Sequence, residues 1–438
     1  MKRLKAYLAS LALLAGAAAV TGCDSDSGGG DGTTTVTEYR AALAETLLAG
    51  ASDNAEVIKV IGDSDAAILV SSKARKVTRV SVTSDGRLSQ TRDRVLFEED
   101  TTESELTHID VSSDGTWAAL TRTIIETDGA GAQTACGGEV VFIDATDSDS
   151  FGDVLAQLPV GPMPDSVDIS DDDTLVAVAN ERDGPDAWGK CEVDGATPSI
   201  SVVDVSAGAS SPTELHRVEM IDGDTGPREP ESVVFGADND LVVATLQDSH
   251  EVAIFKVSDL AGNAAPTSDD IMIVSLPTNA LGAGAWPDGV TRFVDGQGHE
   301  RFAIAGEWND TLTTIAGDGR VLASVELDEG DFPPTLPRVV AEGYPLFSPD
   351  SLSAFVFKGN SYLAVTLRHS GAVLIYDVTD AAAPTFGQVV AVGQDEQGGL
   401  DEDGSTIRPE GVAAAPDGRF IVVANEGESS VSLLLPEE

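Results

Sequence analysis

Six carboxylates recur in one register along this chain: Glu56, Asp165, Glu231, Asp288, Glu342 and Glu410. All but Glu342 stand seven residues before an aspartate in a turn-like segment, and Glu342 stands eight before one; Thr107 holds the same place in a further repeat. If the repeats close into a ring, the six oxygen-bearing side chains gather at one end of its axis. That is ligand chemistry for a hard cation such as Ca²⁺. The same pattern has a packing explanation, in which each carboxylate caps backbone amides or pairs with an arginine of a neighbouring repeat. Arg182, Arg228, Arg338 and Arg408 lie close by in sequence. Repeat signatures in ring-shaped folds hold units together, so packing is the preferred reading and a metal site the alternative.

Other chemistries have less to stand on. The five histidines (His108, His216, His250, His299 and His369) are too spread for a copper cluster, and only His108 adjoins the acidic register. A GxSxG elbow, a P-loop and a CxxCH haem site are all absent. The strings DSDSFGD (Asp147–Asp153) and DEDGS (Asp401–Ser405) lack full calcium-loop spacing and read as solvated loops. Trp188, Trp286 and Trp308 can line a pocket, although scattered aromatics more often pack.

The three cysteines divide by position. Lys2, Arg3 and Lys5 precede an apolar stretch, Leu8 to Val20, that is too short for a mature membrane span. It ends in Val20-Thr21-Gly22-Cys23, which resembles a lipobox whose cysteine is lipidated and becomes the new N-terminus. Asp24 to Thr35 (DSDSGGGDGTTT) is too polar to fold and suits a tether. The expected layout is a signal peptide over 1–22, a tether over 23–40 and one domain over 41–438. An extracytoplasmic, lipid-anchored protein follows, on the periplasmic or outer-membrane face of the envelope. Cys136 and Cys191 remain as an even pair, expected to form one disulfide.

The elements that would position the acidic register are strands. After residue 60 the chain shows short Val/Ile/Ala/Leu runs between Asp/Gly/Pro/Ser turns, without a sustained 3.6-residue period. Turn aspartates recur as Asp63, Asp114, Asp172, Asp238, Asp295, Asp350 and Asp417. A signature recurs with them: Pro164-Asp165-Ser166-Val167, Pro230-Glu231-Ser232-Val233, Pro287-Asp288-Gly289-Val290 and Pro409-Glu410-Gly411-Val412. Seven such units predict an all-β, seven-bladed β-propeller of four-stranded antiparallel blades. The last unit ends after a third strand, Val431 to Leu435, so an N-terminal segment, Leu43 to Leu48, is expected to supply its fourth and close the ring.

These units resemble the YVTN (lactonase-like) seven-bladed propellers, most clearly over 408–435 (RPEGVAAAPDGRFIVVANEGESSVSLLL). More narrowly, the chain resembles the choice-of-anchor I family of secreted bacterial proteins. The segments that carry this are LAGASDNAEVIKV (48–60), EPESVVFGADNDLVVATLQDSHEVAIF (229–255) and TLRHSGAVLIYDVTDAAAP (366–384). The resemblance implies the propeller and an envelope location, with no common reaction. Family members that end in a C-terminal sorting segment differ from this chain, which ends in Pro436-Glu437-Glu438; the lipid at Cys23 is expected to anchor it instead.

Composition narrows the partners. The formal net charge is −48, and three of the 26 basic residues lie in the leader, so the rest carries 23 against 74, a net of −51. Such a field repels nucleic acid and concentrates cations, although adaptation of a solvated surface explains most of it. The leading expectation is a monomeric, non-catalytic binding or scaffold module that recognises a protein, glycan or small ligand. The alternative is a divalent-metal-dependent hydrolase, of lactonase or phosphoesterase type, using the carboxylate ring and Ca²⁺.

Overall fold

The structure is a computed structural model that describes residues 39–45, 54–98, 103–128, 133–182, 191, 196–224, 226–333, 336, 346–393, 400–401, 404–405 and 407–437, with backbone only at 40–45, 103, 400–401 and 404–405. The leader, Cys23, the tether, Trp188, Arg338 and Glu342 lie outside the described residues.

Twenty-eight strands form seven four-stranded antiparallel sheets, and each sheet is one blade. The first strands of the blades are Ala55–Val60, Glu103–Val111, Pro164–Ile169, Pro230–Phe235, Pro287–Val294, Pro349–Phe357 and Pro409–Ala414. Each packs on the first strands of the blades before and after it, Ala55–Val60 meeting Pro409–Ala414, so these strands wall a central channel. The seven-bladed propeller expected from the repeats is the fold observed.

Radial stacking explains why the second and third strands read as unbroken apolar runs. Side chains alternate between the two faces of a strand, and here both faces are covered by neighbouring blades. Ala66–Ser71 and Ala372–Asp377 are accordingly buried along almost their whole length. The fourth strands alternate, as Val154–Pro159 does, because one face meets solvent. Seven separate apolar clusters result, one in each seam between adjacent blades. Phe142 lies in one seam, Phe235 in the next and Phe302 in another, all fully buried. Burying such a side chain stabilises by roughly 1.5–3 kcal/mol.

The turn aspartates work through their own side chains. Asp114, Asp172, Asp238, Asp295 and Asp417 each accept a hydrogen bond from the backbone N–H two residues on, at 2.9–3.2 Å. Gly115 and Gly418 follow two of them at φ +69°, where a side chain would be strained. Asp350 departs from this register. It lies inside the first strand of the sixth blade, whose turn falls instead at Lys358 and Gly359, both at positive φ. Pro349-Asp350-Ser351-Leu352 is therefore a fifth copy of the proline signature. The shift of register follows, because that strand runs for nine residues rather than six.

The fourth strand of the last blade is Tyr39–Glu45, paired antiparallel with Ser430–Pro436, and begins four residues before the expected Leu43. Tyr39 is clasped by the sixth blade, where its N–H donates to Gln388 Oε1 and its carbonyl accepts from Gln388 Nε2, both at 2.7 Å. Its hydroxyl donates to the Gly418 carbonyl at 2.8 Å. Across the seam between last and first blades, Arg419 bonds Asp65 and the Asp63 carbonyl, both at 2.7 Å.

Cys136 and Cys191 form the expected disulfide, with Cα atoms 5.6 Å apart. It joins the third strand of the second blade to the insertion of the third. The bond spans 55 residues of chain, a loop for which cross-linking of the unfolded state is worth about 4 kcal/mol. The aspartates of the DSDSFGD string are solvent-exposed, as expected, and meet arginines of the neighbouring blade. Arg92 reaches Asp147 at 2.9 Å and Asp149 at 3.2 Å, and Arg94 pairs with Asp153.

Candidate functional site

Two layers of the first strands hold the blades together, and neither is the acidic register. One residue after the register position, Ser166 and Ser232 accept from Val233 N–H and Val290 N–H of the next blade, both at 3.3 Å. His108, in the same layer, accepts at Nδ1 from Val167 N–H at 3.4 Å. Two residues further on, Asp110 accepts from Ile169 N–H and Asp168 from Phe235 N–H, both at 2.7 Å, and Ser353 from Ala414 N–H at 3.0 Å. These neighbouring layers cap the backbone amides of the next blade, while the acidic register contributes the ion pair of Glu410 with Arg368 of the preceding blade.

The register residues open into the channel. In every blade the pairing between first and second strands slips beside that residue, between Pro164 and Ser166 for example, and between Pro349 and Leu352. A bulge at this point turns the extra side chain out of the ladder and toward the axis. The backbone just before it is held in the left-handed region at Asn54, Met163, Trp286, Ser348 and Arg408, with φ between +42° and +54°. Non-glycine residues there cost about 1 kcal/mol or more each and persist because neighbours fix them. The fixing bonds repeat: the carbonyls of Met163, Trp286, Ser348 and Arg408 accept from the N–H groups of Glu181, Glu307, Arg368 and Glu426, at 2.9–3.1 Å.

A ring of carboxyls follows. Glu56, Asp165, Glu231, Asp288, Asp350 and Glu410 line a cavity of about 180 Å³, with Thr107 completing the seven. In equivalent places immediately after the second strands stand Glu181, Glu307, Arg368 and Glu426, of which Arg368 lines the cavity itself. Five of the six predicted carboxylates are brought together. The place given to Glu342 belongs to Asp350, and Glu342 itself lies outside the described residues. Sequence reasoning missed Arg368, which occupies in one blade the position that three others give to Glu. Of the arginines singled out, Arg228 pairs with Glu251 at 2.9 Å, away from the ring.

Among the described residues lining the cavity, Arg368 is the one permanent cation. Its Nη2 lies 2.7 Å from Glu410 and 3.8 Å from Glu426. Burial and like charge push the carboxyls up. Glu410 rises to about 7 through burial, with Arg368 opposing. Burial raises Asp288 and Asp350 well above the usual range, again against Arg368. Glu56 is raised by burial and then by Glu410. Glu231 is raised by burial and by Glu181, Asp165, Asp288 and Glu307, the strongest influences on it all being carboxylates. Its Oε2 is enclosed and has no hydrogen-bond partner among the described residues.

The other half of the channel is a larger cavity of about 420 Å³, lined by both signs of charge. Lys59 pairs with Asp110 at 2.8 Å, and Arg292 reaches past one blade to hold both oxygens of Asp171 at 2.8 Å. Burial and the charge of Asp110 raise Asp168 to about 8. Burial and Lys59 lower His108 to about 4, so it is a neutral acceptor. Among the described residues no three His, Cys, Asp or Glu side chains converge as a metal site. The ring carboxylates surround a space rather than a point.

Trp286, two residues before Asp288, and Trp308, one after Glu307, meet edge to face with centroids 4.9 Å apart. Trp308, beside Glu307, is exposed.

Residues 56–225 match the family described as the choice-of-anchor I domain. No curated protein matches the chain. Among solved structures, virginiamycin B lyase from Staphylococcus aureus is 13% identical, with a TM-score of 0.53 over 91% of this chain and 100% of that one. The periplasmic gluconolactonase of Pseudomonas aeruginosa is 16% identical, with a TM-score of 0.56 over 87% and 91%. Hydrazine synthase of Kuenenia stuttgartiensis is 16% identical, with a TM-score of 0.52 over 89% and 97%. At these identities the likeness is one of fold.

Proposed function

We propose that this chain, a β-propeller carrying a choice-of-anchor I domain over residues 56–225, is a non-catalytic binding module held at the cell envelope by a lipid on Cys23. The observation that carries the reading is the carboxyl-lined cavity, where six blades each bring one acidic side chain to an open space that holds a single arginine among the described residues. Groups left in that state inside a stable scaffold are a reserve for a ligand. A hydrolase using Ca²⁺ at the same ring would need several oxygens at 2.3–2.6 Å from one point, and the described residues do not converge in that way.

Two measurements test this. Membrane fractionation should place the wild-type protein in the pellet and Cys23→Ala, expressed with the same leader, in the soluble fraction. The purified protein should show no hydrolysis of δ-gluconolactone or p-nitrophenyl phosphate, with or without CaCl₂. Turnover that is lost in a Glu231→Gln/Asp288→Asn double variant would replace the binding reading with the hydrolase.

A further inference from the structure

We infer that the Glu231 side of the ring binds the ammonium or guanidinium head of a small organic cation. This rests on the reading of the acidic end as a binding site and adds the chemical class of its ligand.

The two sides of the ring differ. On the side of the sixth and seventh blades, the Arg368 guanidinium already sits against Glu410 at 2.7 Å. The protein therefore shows which kind of cation suits this spacing: a planar N–H donor between carboxylates, not a sphere that draws them to one point. Among the described residues lining the cavity, no second guanidinium or ammonium stands with Glu231 on the opposite side. Glu231 lies between Asp165 and Asp288, with Glu181 and Glu307 behind them, and its enclosed Oε2 lacks a hydrogen-bond donor among the described residues. A carboxylate oxygen kept in that condition costs about 1–3 kcal/mol until a donor arrives. A ligand N–H supplies the donor and the charge together.

Shape and rim agree with that head group. A cavity of about 180 Å³ has room for about six waters, or for an amine or guanidine head with a short carbon chain. Trp308 follows Glu307 in the chain and Trp286 precedes Asp288 by two residues, both in the blade next to that of Glu231. Aromatic faces next to carboxylates favour organic cations, through cation–π attraction worth about 0.5–2 kcal/mol, and do little for a hydrated metal ion. The acidic field of the whole chain would raise the local concentration of any such cation.

Isothermal titration calorimetry of the purified mature protein at pH 8 and 150 mM NaCl tests the inference, with agmatine, cadaverine and CaCl₂ as probes. Saturable 1:1 binding of agmatine or cadaverine is expected, weakened at least tenfold in Glu231→Gln and several-fold in Trp308→Ala. Asp147→Asn, in the loop docked on Arg92, should bind like wild type and so controls for diffuse attraction to an acidic surface. Melting curves confirm that each variant is folded. Absence of saturable amine binding, equal affinity in Glu231→Gln, or equal loss in Asp147→Asn would overturn the inference. So would stoichiometric Ca²⁺ binding abolished by Glu231→Gln. The binding-module reading would survive the first three results, because it stands on fractionation and the absence of turnover.

Discussion

The melting temperature of the mature protein is expected to fall as the pH is raised from 5 to 8.5. Most soluble proteins change little across that range, because their carboxylates ionise more easily when folded. Here the ring works the other way. Glu56, Glu231, Asp288, Asp350 and Glu410 all have their folded-state pKa raised, so the native state holds protons that the unfolded chain releases. Their contribution is fully present below about 4.5 and is lost as the pH rises through the folded values, about 7 for Glu410 and about 8 for Asp168 in the second layer. Glu410 alone corresponds to roughly 3 kcal/mol by linkage. Below pH 4 the trend reverses, because the turn aspartates Asp114, Asp172, Asp238 and Asp417 are held low by their own hydrogen bonds and lose stability on protonation. Differential scanning calorimetry at half-unit pH steps should show a maximum near pH 5. Repeating the series in 1 M NaCl separates buried from surface charge, since salt screens only the latter. A slope that vanishes in high salt would assign the effect to the acidic surface instead.

Replacing Arg368 by glutamine should destabilise the protein by roughly 2–4 kcal/mol at pH 8. The guanidinium is the cation that Glu410, Asp350 and Asp288 all feel. Without it they face one another across the channel. The estimate sits at the lower end of values for buried pairs because the Arg368 side chain is 35% exposed. At pH 5 the carboxyls take up protons and the loss should shrink by half or more. Urea unfolding at the two pH values reads both numbers. An equal loss at pH 5 and pH 8 would show that Arg368 contributes packing rather than charge.

The fold was legible because a propeller repeats its physics. Each blade buries two strands on both faces, so Val140 to Ile143 or Val373 to Ile375 are apolar without interruption, and each Asp turn restarts the pattern. The acidic register was legible for the same reason, down to Glu56, Asp165, Glu231, Asp288 and Glu410. It failed at Glu342, because a longer first strand in the sixth blade placed Asp350 where a turn residue was expected, and Asp in a turn looks like Asp on a ring. Arg368 was hidden differently. Its equivalence to Glu181, Glu307 and Glu426 depends on aligning the ends of second strands, and a reversal of charge breaks the similarity that makes a repeat visible. The structural work expected of the carboxylates is shared: Glu410 pairs with Arg368 of the preceding blade, while the capping of amides falls one to three residues further on. Ser166, Ser232 and Asp168 are unremarkable as letters, and only the bulge beside each register position turns them toward the amides of the next blade.

The central claim is that the Glu231 side of the ring is a reserve for a ligand and not a brace for the blades, in contrast to the Arg368–Glu410 side. The melting temperature of Glu231→Gln at pH 8, compared with wild type, tests it most directly. Glutamine keeps the size and supplies an N–H while removing a group whose ionisation is opposed by burial and by Glu181, Asp165, Asp288 and Glu307. A rise of ~2–4 °C is the predicted result. A fall of the same size would mean that the Glu231 carboxylate holds the propeller together, and would contradict the account.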